Sequence, residues 1–174
     1  STPISAGTSA LPESLTYIDD HVLSGCIDLK EIIIPNAVTY IGYGAFSGCN
    51  SLERIIIPHT VSISNGWILF QNCYELKEVS LPDNTAFRGR WCFGRNYKLT
   101  EITIPDSVTS IGQDAFSNCK NLKAIIIPKS VTSIEDYAFS SCGSLKEIFF
   151  LGNLPYIGNS AFGDVTAVAY YPKN

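Results

Sequence analysis

The sequence has few of the residues on which catalysis, metal binding or membrane insertion usually depend. Among its 174 residues there is no methionine, and there are only two histidines. The longest apolar runs are four or five residues, which is too short for a transmembrane helix or for the core of a signal peptide. Lysine and arginine total 12 against 16 aspartates and glutamates, so the chain has no basic excess. These shortages argue against membrane insertion and nucleic-acid binding.

Prolines and phenylalanines, in contrast, recur at an almost constant interval of about 23 residues, and a period of this length is the signature of a solenoid. Each repeat of a solenoid forms one coil. The repeating prolines are Pro12, Pro35, Pro58, Pro82, Pro105 and Pro128. The repeating phenylalanines are Phe46, Phe70, Phe93, Phe116, Phe139 and Phe162.

The residues before each proline predict one short strand per coil. Ile125 and Ile127 are two apart, so they share one face of a strand and are expected to point inward, where Leu122 joins them. Ile126 is expected to point outward, and Pro128 ends the strand because it has no N–H to donate. Strands of a parallel sheet are therefore predicted at residues 32–34, 54–57, 78–81, 101–104 and 124–127.

Two further segments of each coil carry apolar residues. Val131 and Ile134 predict a second buried pair, and the apolar residues of 138–142 fall at the spacing of one helical turn. Five coils have a glycine four residues before the repeating phenylalanine, and we expect it to give the backbone freedom at a corner. These glycines are Gly42, Gly66, Gly89, Gly112 and Gly158, with Glu135 in the remaining coil.

The combined pattern Leu-x-x-Ile-x-Ile-Pro, Ser-Val-x-x-Ile-Gly and Ala-Phe-x-x-Cys resembles the BspA-type leucine-rich repeats, from Leu11 to about Pro172. The resemblance implies a right-handed leucine-rich-repeat superhelix with a concave parallel β-sheet, about 23 residues per coil and six to seven coils. Residues 1–10 are then a linker or leader fragment, and residues 11–174 are the leucine-rich-repeat solenoid domain. Members of this family are mostly surface or secreted proteins of host-associated bacteria and some parasitic protozoa, and they act in adhesion and protein binding.

Five of the six cysteines occupy the same place in successive coils. We interpret them as a column of free thiols in an apolar interior. A disulfide between Cys49 and Cys73 is the alternative, because adjacent coils are about 4.8 Å apart, within the range of disulfide Cα distances. Cys92 takes the place of an alanine and is expected to be buried and unpaired. The column consists of Cys26, Cys49, Cys73, Cys119 and Cys142, with Asn96 in the fourth coil.

The remaining reactive residues do not suggest an active site. His21 and His59 fall at different positions of different coils, and a solenoid aligns only equivalent positions. There is no Cys-x-x-Cys pair to suggest a metal site. No catalytic residue, metal or cofactor is therefore predicted, and the chain is not expected to be an enzyme.

The outward side of the predicted strands carries a column of mostly apolar residues. Apolar side chains on an exposed sheet usually mark a surface that a partner covers. The alternative is that β-branched residues simply suit strands and have no binding role. This candidate binding column consists of Ile33, Ile56, Ser80, Thr103, Ile126 and Phe149.

A second candidate site lies where the third and fourth coils depart from the repeat. The third coil has one extra residue, and both tryptophans and three of the four arginines fall in this region. Arginine and tryptophan are enriched at binding hot spots. The alternative is that large side chains refill the core of a degenerate repeat. This Trp/Arg patch, expected on the convex side, consists of Trp67, Arg88, Arg90 and Trp91.

Residues and resemblance together predict a non-catalytic recognition module that binds a protein through its concave sheet. The resemblance implies an extracellular or cell-surface location and a role in adhesion. No feature identifies the partner, for which an extracellular host protein is a candidate. Two alternatives stay open: a carbohydrate-binding module that uses Trp67, Trp91, Tyr43 and Tyr97, and a passive spacer within a larger protein.

Overall fold

The computed structural model of this chain is a solenoid of short parallel strands, with successive coils about 23 residues apart. The structure describes residues 7–61, 68–83 and 90–172. These ranges contain no helix that is long and apolar enough to cross a membrane. The strands described are β1 (Gly7–Ala10), β2 (Tyr17–Ile18), β3 (Leu29–Ile33), β4 (Tyr40–Ile41), β5 (Arg54–Ile56), β6 (Glu78–Ser80), β7 (Ser110–Ile111), β8 (Ala124–Ile127), β9 (Ser133–Ile134), β10 (Glu147–Phe150), β11 (Tyr156–Ile157) and β12 (Val168–Tyr170).

The longer strands form a main sheet on one side of the coil. Its first part has the order β1-β3-β5-β6, its second part has the order β8-β10-β12, and all neighbours are parallel. The predicted strands at residues 32–34, 54–57, 78–81 and 124–127 are confirmed, with differences only at their ends. The first strand, Gly7–Ala10, falls in the segment assigned to a linker, so the sheet begins earlier than the sequence analysis placed it.

The main sheet is interrupted in the fifth coil. The strand predicted at residues 101–104 is wrong, although Ile102 and Ile104 are buried as a strand would bury them. The Lys123 amide still donates to the Thr100 carbonyl at 3.1 Å, just before the gap. The extra residue of the third coil does not account for the gap, because it lies between β5 and β6, which still pair with each other.

The inward register predicted for the strands is confirmed. In β8, Ile125 and Ile127 are buried, whereas Ile126 is 52% exposed. Inside the solenoid one phenylalanine per coil stacks on the next, with ring centroids 5.1–5.7 Å apart. Each stacked pair adds about 0.5–1.5 kcal/mol to the effect of burial alone. The stack consists of Phe46, Phe70, Phe93, Phe116, Phe139 and Phe162.

A second set of very short strands lies at the next corner of the coil. β2 pairs with β4, and β7, β9 and β11 form a three-stranded sheet. The predicted buried pair is confirmed, because Val131 and Ile134 are both buried and Ile134 lies in β9. The pairing itself was missed, since a two-residue strand shows no period in the sequence.

The segment around each stacked phenylalanine is a run of turns, so the helical turn predicted there is wrong. Asp114 and Asn118 have positive φ angles of 57° and 61°, which an α-helix does not contain. The Phe116 amide donates to the Ala138 carbonyl of the next coil at 2.7 Å, and the Asn118 amide donates to the Ser140 carbonyl at 2.8 Å. On this side, which we call the turn side, backbone hydrogen bonds therefore join the coils directly.

The glycine at the start of the turn side is required by close packing. Gly42 and Gly158 have no positive φ, so the backbone freedom predicted for them is the wrong reason for their presence. A Cβ atom on Gly42 would overlap Oδ1 of Asp20 in the preceding coil, and Gly158 packs in the same way against the coil before it. Gly66 and Gly89 lie outside the described residues.

Candidate recognition surface

The candidate residues of the main sheet lie in one column on its outer face. In the first part of the sheet Ile33 pairs with Ile56, and Ile56 pairs with Ser80, which is exposed. In the second part Ile126 pairs with Phe149. Ile33 and Ile56 are each 60% exposed, and Phe149 is half-buried. We call these residues, with Thr103, the outer column; their role in binding stays a prediction.

Thr103 of the outer column and Tyr170 beside it depart from the predicted pattern. Thr103 is exposed but lies in the gap between the two parts of the sheet, so no strand neighbour fixes its register. Tyr170 of β12 was missed: it pairs with Phe149, their ring centroids are 4.8 Å apart, and it is 44% exposed. A step of about 23 residues from Phe149 reaches Pro172, not Tyr170, so the repeat length alone does not predict this partner.

Charged side chains flank the outer column in the first part of the sheet. Arg54 and Glu31 form an ion pair of 2.5 Å, and Lys77 and Glu53 form one of 2.6 Å. The hydrogen bond from Lys77 lowers the pKa of Glu53. These pairs are exposed to solvent and contribute little to stability. Their effect on the surface is to neutralise charge beside the two isoleucines.

The Trp/Arg patch is only partly described. Trp67 and Arg88 lie outside the described residues, Arg90 is exposed, and Trp91 is half-buried. A Cβ atom on Gly94 would lie 2.7 Å from Cε3 of Trp91, so the indole rests against the backbone of its own coil. This contact supports the interpretation that Trp91 refills a degenerate coil, and binding by the patch stays a prediction.

The aromatic residues considered as a sugar platform lie at different positions of the coil. Tyr43 is exposed, and His21 packs edge-on against it with a centroid distance of 4.9 Å. Tyr97 stacks on Tyr74 of the preceding coil at 5.1 Å, and Nζ of Lys120 in the next coil lies 5.2 Å from its centroid. Tyr97 therefore has neighbours in both adjacent coils, which leaves little of its ring for a sugar.

The repeated strand, turn-side phenylalanine and buried cysteine can be compared with known families. The family described as the BspA type leucine rich repeat region matches in six copies, over residues 5–95 and 66–169. This chain belongs to that family. No curated protein matches it.

Solved structures of other leucine-rich repeat proteins have the same fold as this BspA-type chain. The T. pallidum leucine rich repeat protein is 28% identical with a TM-score of 0.79, over 88% of this chain and 73% of that one. A leucine-rich repeat protein from Bacteroides ovatus is 23% identical with a TM-score of 0.61, over 89% of this chain and 57% of that one. A leucine rich cell surface protein from Faecalibacterium prausnitzii is 24% identical with a TM-score of 0.56, over 94% and 60%.

The cysteine column of these BspA-type repeats lies in the hydrophobic core as predicted, and its buried members also donate hydrogen bonds, which the sequence analysis missed. Sγ of Cys73 donates to the Phe46 carbonyl at 3.2 Å. Asn96, which replaces cysteine in the fourth coil, donates from Nδ2 to the Phe70 carbonyl at 3.1 Å. The position therefore selects a small side chain that can donate one hydrogen bond. Equivalent bonds are made by Cys49, Cys119 and Cys142.

The thiols are not arranged for reaction. All six cysteines are free in the structure, Cys92 is buried as predicted, and Cys26 is partly exposed. Burial raises the pKa of Cys49 and of Cys142 to about 12. A thiol with such a pKa is protonated at neutral pH and is a poor nucleophile or metal ligand. The described ranges hold no group of three or more His, Cys, Asp or Glu side chains that could bind a metal ion.

Proposed function

We propose that this chain is a non-catalytic recognition module that binds a protein through the outer face of its main sheet. The exposed outer column carries this proposal. Ile33, Ile56 and Ile126 each keep more than half of their surface in water, although they lie in ordered parallel strands. Burying one such side chain in an interface gives about 1.5–3 kcal/mol. A partner that covers the column gains this free energy at each of these three isoleucines.

The geometry of the sheet favours binding for a second reason. Ile33, Ile56 and Ile126 each lie in a hydrogen-bonded strand with a buried residue on either side, as Ile126 lies between Ile125 and Ile127. A surface that is ordered before binding loses little conformational entropy when the partner arrives. The outer column therefore suits a partner with a complementary apolar stripe.

We also propose that the parent protein acts at the bacterial cell surface or after secretion, in adhesion. This location rests on the family and on one neighbour of the same fold, from F. prausnitzii, that is described as a cell surface protein. The chain covers 57% of the B. ovatus structure and 60% of the F. prausnitzii structure. Further parts of a longer protein can therefore contribute to the proposed binding.

The proposal can be tested by surface plasmon resonance against a panel of purified extracellular matrix proteins, with a glycan array in parallel. Ile56→Lys and Ile126→Lys should each weaken protein binding at least about tenfold, because a charged side chain at the centre of an interface is costly to desolvate. Ile27→Lys is the matched control, since Ile27 is 56% exposed but lies outside the main sheet.

The outcomes separate the three functions. Loss of binding in both outer-column variants but not in Ile27→Lys supports recognition by the sheet. Binding to glycans that is insensitive to these variants supports the carbohydrate-binding alternative. Unchanged binding of every protein in all variants contradicts the proposal, and absence of any ligand in the panel favours a spacer.

A further inference from the structure

The outer column changes its chemistry along the solenoid. Ile33 and Ile56 form an apolar patch in the first part of the sheet, and Ile126 begins a second patch that continues to the Phe149 and Tyr170 stack. Between the patches the column presents the hydroxyl groups of Ser80 and Thr103, both exposed. A partner that is apolar along its whole length would leave these hydroxyls without hydrogen bonds, which lowers affinity. The surface therefore fits a partner with a polar centre.

A groove beside this polar step carries negative charge. It has a volume of about 570 Å³, and its lining includes Asp83, Thr103, Asp106, Ile126 and Leu151. Asp83 and Asp106 follow equivalent prolines in neighbouring coils and are both exposed. Within residues 7–61, 68–83 and 90–172 neither carboxylate has an ion-pair or hydrogen-bonding partner.

The groove over the first part of the sheet does not carry this excess of negative charge. This groove, about 350 Å³, is lined by Glu31 and Arg54, which neutralise each other, and by Asn36 at the position of the two aspartates. One coil beyond Asp106 the same position holds Lys129, and the described residues contain no ion pair between them. The central groove is therefore lined by two carboxylates and by no cation, and Lys129 lies one coil step outside it.

The aspartate pair attracts a cation. Asp83 and Asp106 occupy equivalent positions of adjacent coils and line the same groove, so their negative charges repel each other. A lysine or arginine placed between them relieves this repulsion and forms charge-assisted hydrogen bonds, which are stronger beside apolar side chains than in open water. Ile126 and Leu151 supply such apolar surroundings.

Resting on the function proposed above, we propose that the outer face binds an extended protein segment that lies along the solenoid axis, with a lysine or arginine between two apolar side chains. Ile56 and Ile126 are three coil steps apart, or about 14 Å. Two side chains that are four residues apart in an extended chain are separated by about 13 Å. They point to the same face because the spacing is an even number of residues. The segment therefore has the form apolar-x-cation-x-apolar, with its cation over the groove.

The test uses two fluorescein-labelled peptides, Gly-Gly-Leu-Ser-Lys-Ser-Leu-Gly-Gly and the same peptide with Glu in place of Lys. At low salt the lysine peptide should bind the intact chain at least about tenfold more tightly than the glutamate peptide, as measured by fluorescence anisotropy. The preference should fall below about threefold in the double variant Asp83→Asn, Asp106→Asn, and in about 1 M salt, where charges are screened. Asp28→Asn is the matched control, because Asp28 is exposed but does not line the groove, and it should keep the preference.

Other results overturn the inference, and they are distinguishable from failure of the proposed function. Equal binding of the two peptides, no measurable binding of either, or a preference that survives the double variant each contradicts a cation over the groove. If the peptide test fails but Ile126→Lys still weakens binding of a matrix protein, the proposed function stands and only the inference about the cation is wrong. If neither Ile56→Lys nor Ile126→Lys affects any partner, the proposed function fails and the inference falls with it.

Discussion

The turn side and the main sheet differ where the irregular fourth coil meets the fifth. The phenylalanine stack passes through this region unbroken, with Phe93 5.3 Å from both Phe70 and Phe116. The Phe93 amide also keeps its bond to the Ala115 carbonyl at 2.7 Å. The strand ladder, in contrast, ends at β6 and resumes only at β8. The buried aromatic stack and the turn-side hydrogen bonds therefore hold successive coils together where the sheet does not.

The largest expected effect comes from breaking the stack next to this gap. Phe116→Ala removes a fully buried ring that stacks on Phe93 and Phe139, and should lower the free energy of unfolding by about 3–5 kcal/mol. Phe149→Ala, on the outer face of the sheet, should lower it by less than about 1.5 kcal/mol. Chemical denaturation measures both values. Equal losses for the two variants would contradict the leading role given to the turn side.

Alkaline pH should weaken the turn side through its thiols. The pKa of Cys49 and Cys142 is about 12 in the folded chain and near 9 in the unfolded chain. Between these values the unfolded chain has released protons that the folded chain still holds, so the free energy of unfolding falls as pH rises from about 9 to about 12. By pH 10 the two thiols together should account for a loss of about 3 kcal/mol.

The control for this pH dependence is the double variant Cys49→Ala, Cys142→Ala. Denaturation at pH 8 and pH 10 should show a smaller decrease in the free energy of unfolding for the variant than for the original chain, because the variant lacks the two thiols and is otherwise identical. The same decrease in both proteins would show that these two thiols do not govern alkaline stability.

The two parts of the main sheet can be compared by equivalent isoleucines. Ile125→Ala in β8 should lower the free energy of unfolding by about 2–5 kcal/mol, because it empties a fully buried site. Ile102→Ala, in the gap, should lower it by about 1 kcal/mol less, since a segment without strand hydrogen bonds can collapse into the space. An equal or larger loss for Ile102→Ala, in the same denaturation experiment, would mean that the gap is as rigid as the sheet.

The smallest expected effect on stability comes from the backbone conformation of the turn side. Gly25 has a φ of 72° and open space where a Cβ atom would lie, so Gly25→Ala should cost about 1 kcal/mol through backbone conformation only. Gly143 also has open space but no positive φ, and Gly143→Ala should be neutral or stabilise by up to about 1 kcal/mol. If both variants show the same change in melting temperature, the positive φ of Gly25 is not what disfavours alanine at that position.

Residue pattern predicted the interior better than the connections between coils. Ile125, Ile127 and Phe116 are buried as predicted, because their spacing within one coil decides which way they point. The column of Ile33, Ile56 and Ile126 was placed correctly on the outer face for the same reason. Contacts between coils could not be predicted this way. The partner carbonyls of the cysteines and the pairing of Tyr170 are examples, since both involve residues more than twenty positions away.

The length of the coil, the family, and the inward or outward direction of each strand residue follow from the sequence alone, because they depend on a period repeated within every coil. The break in the ladder at residues 101–104 and the close approach of Gly42 to Asp20 emerged only in three dimensions. The same holds for Asp83 and Asp106, which the fold brings together in one groove that no cation lines. The physical reason is that hydrogen-bond register, close approach and local charge each depend on atoms of the neighbouring coil, whose exact position no single repeat specifies.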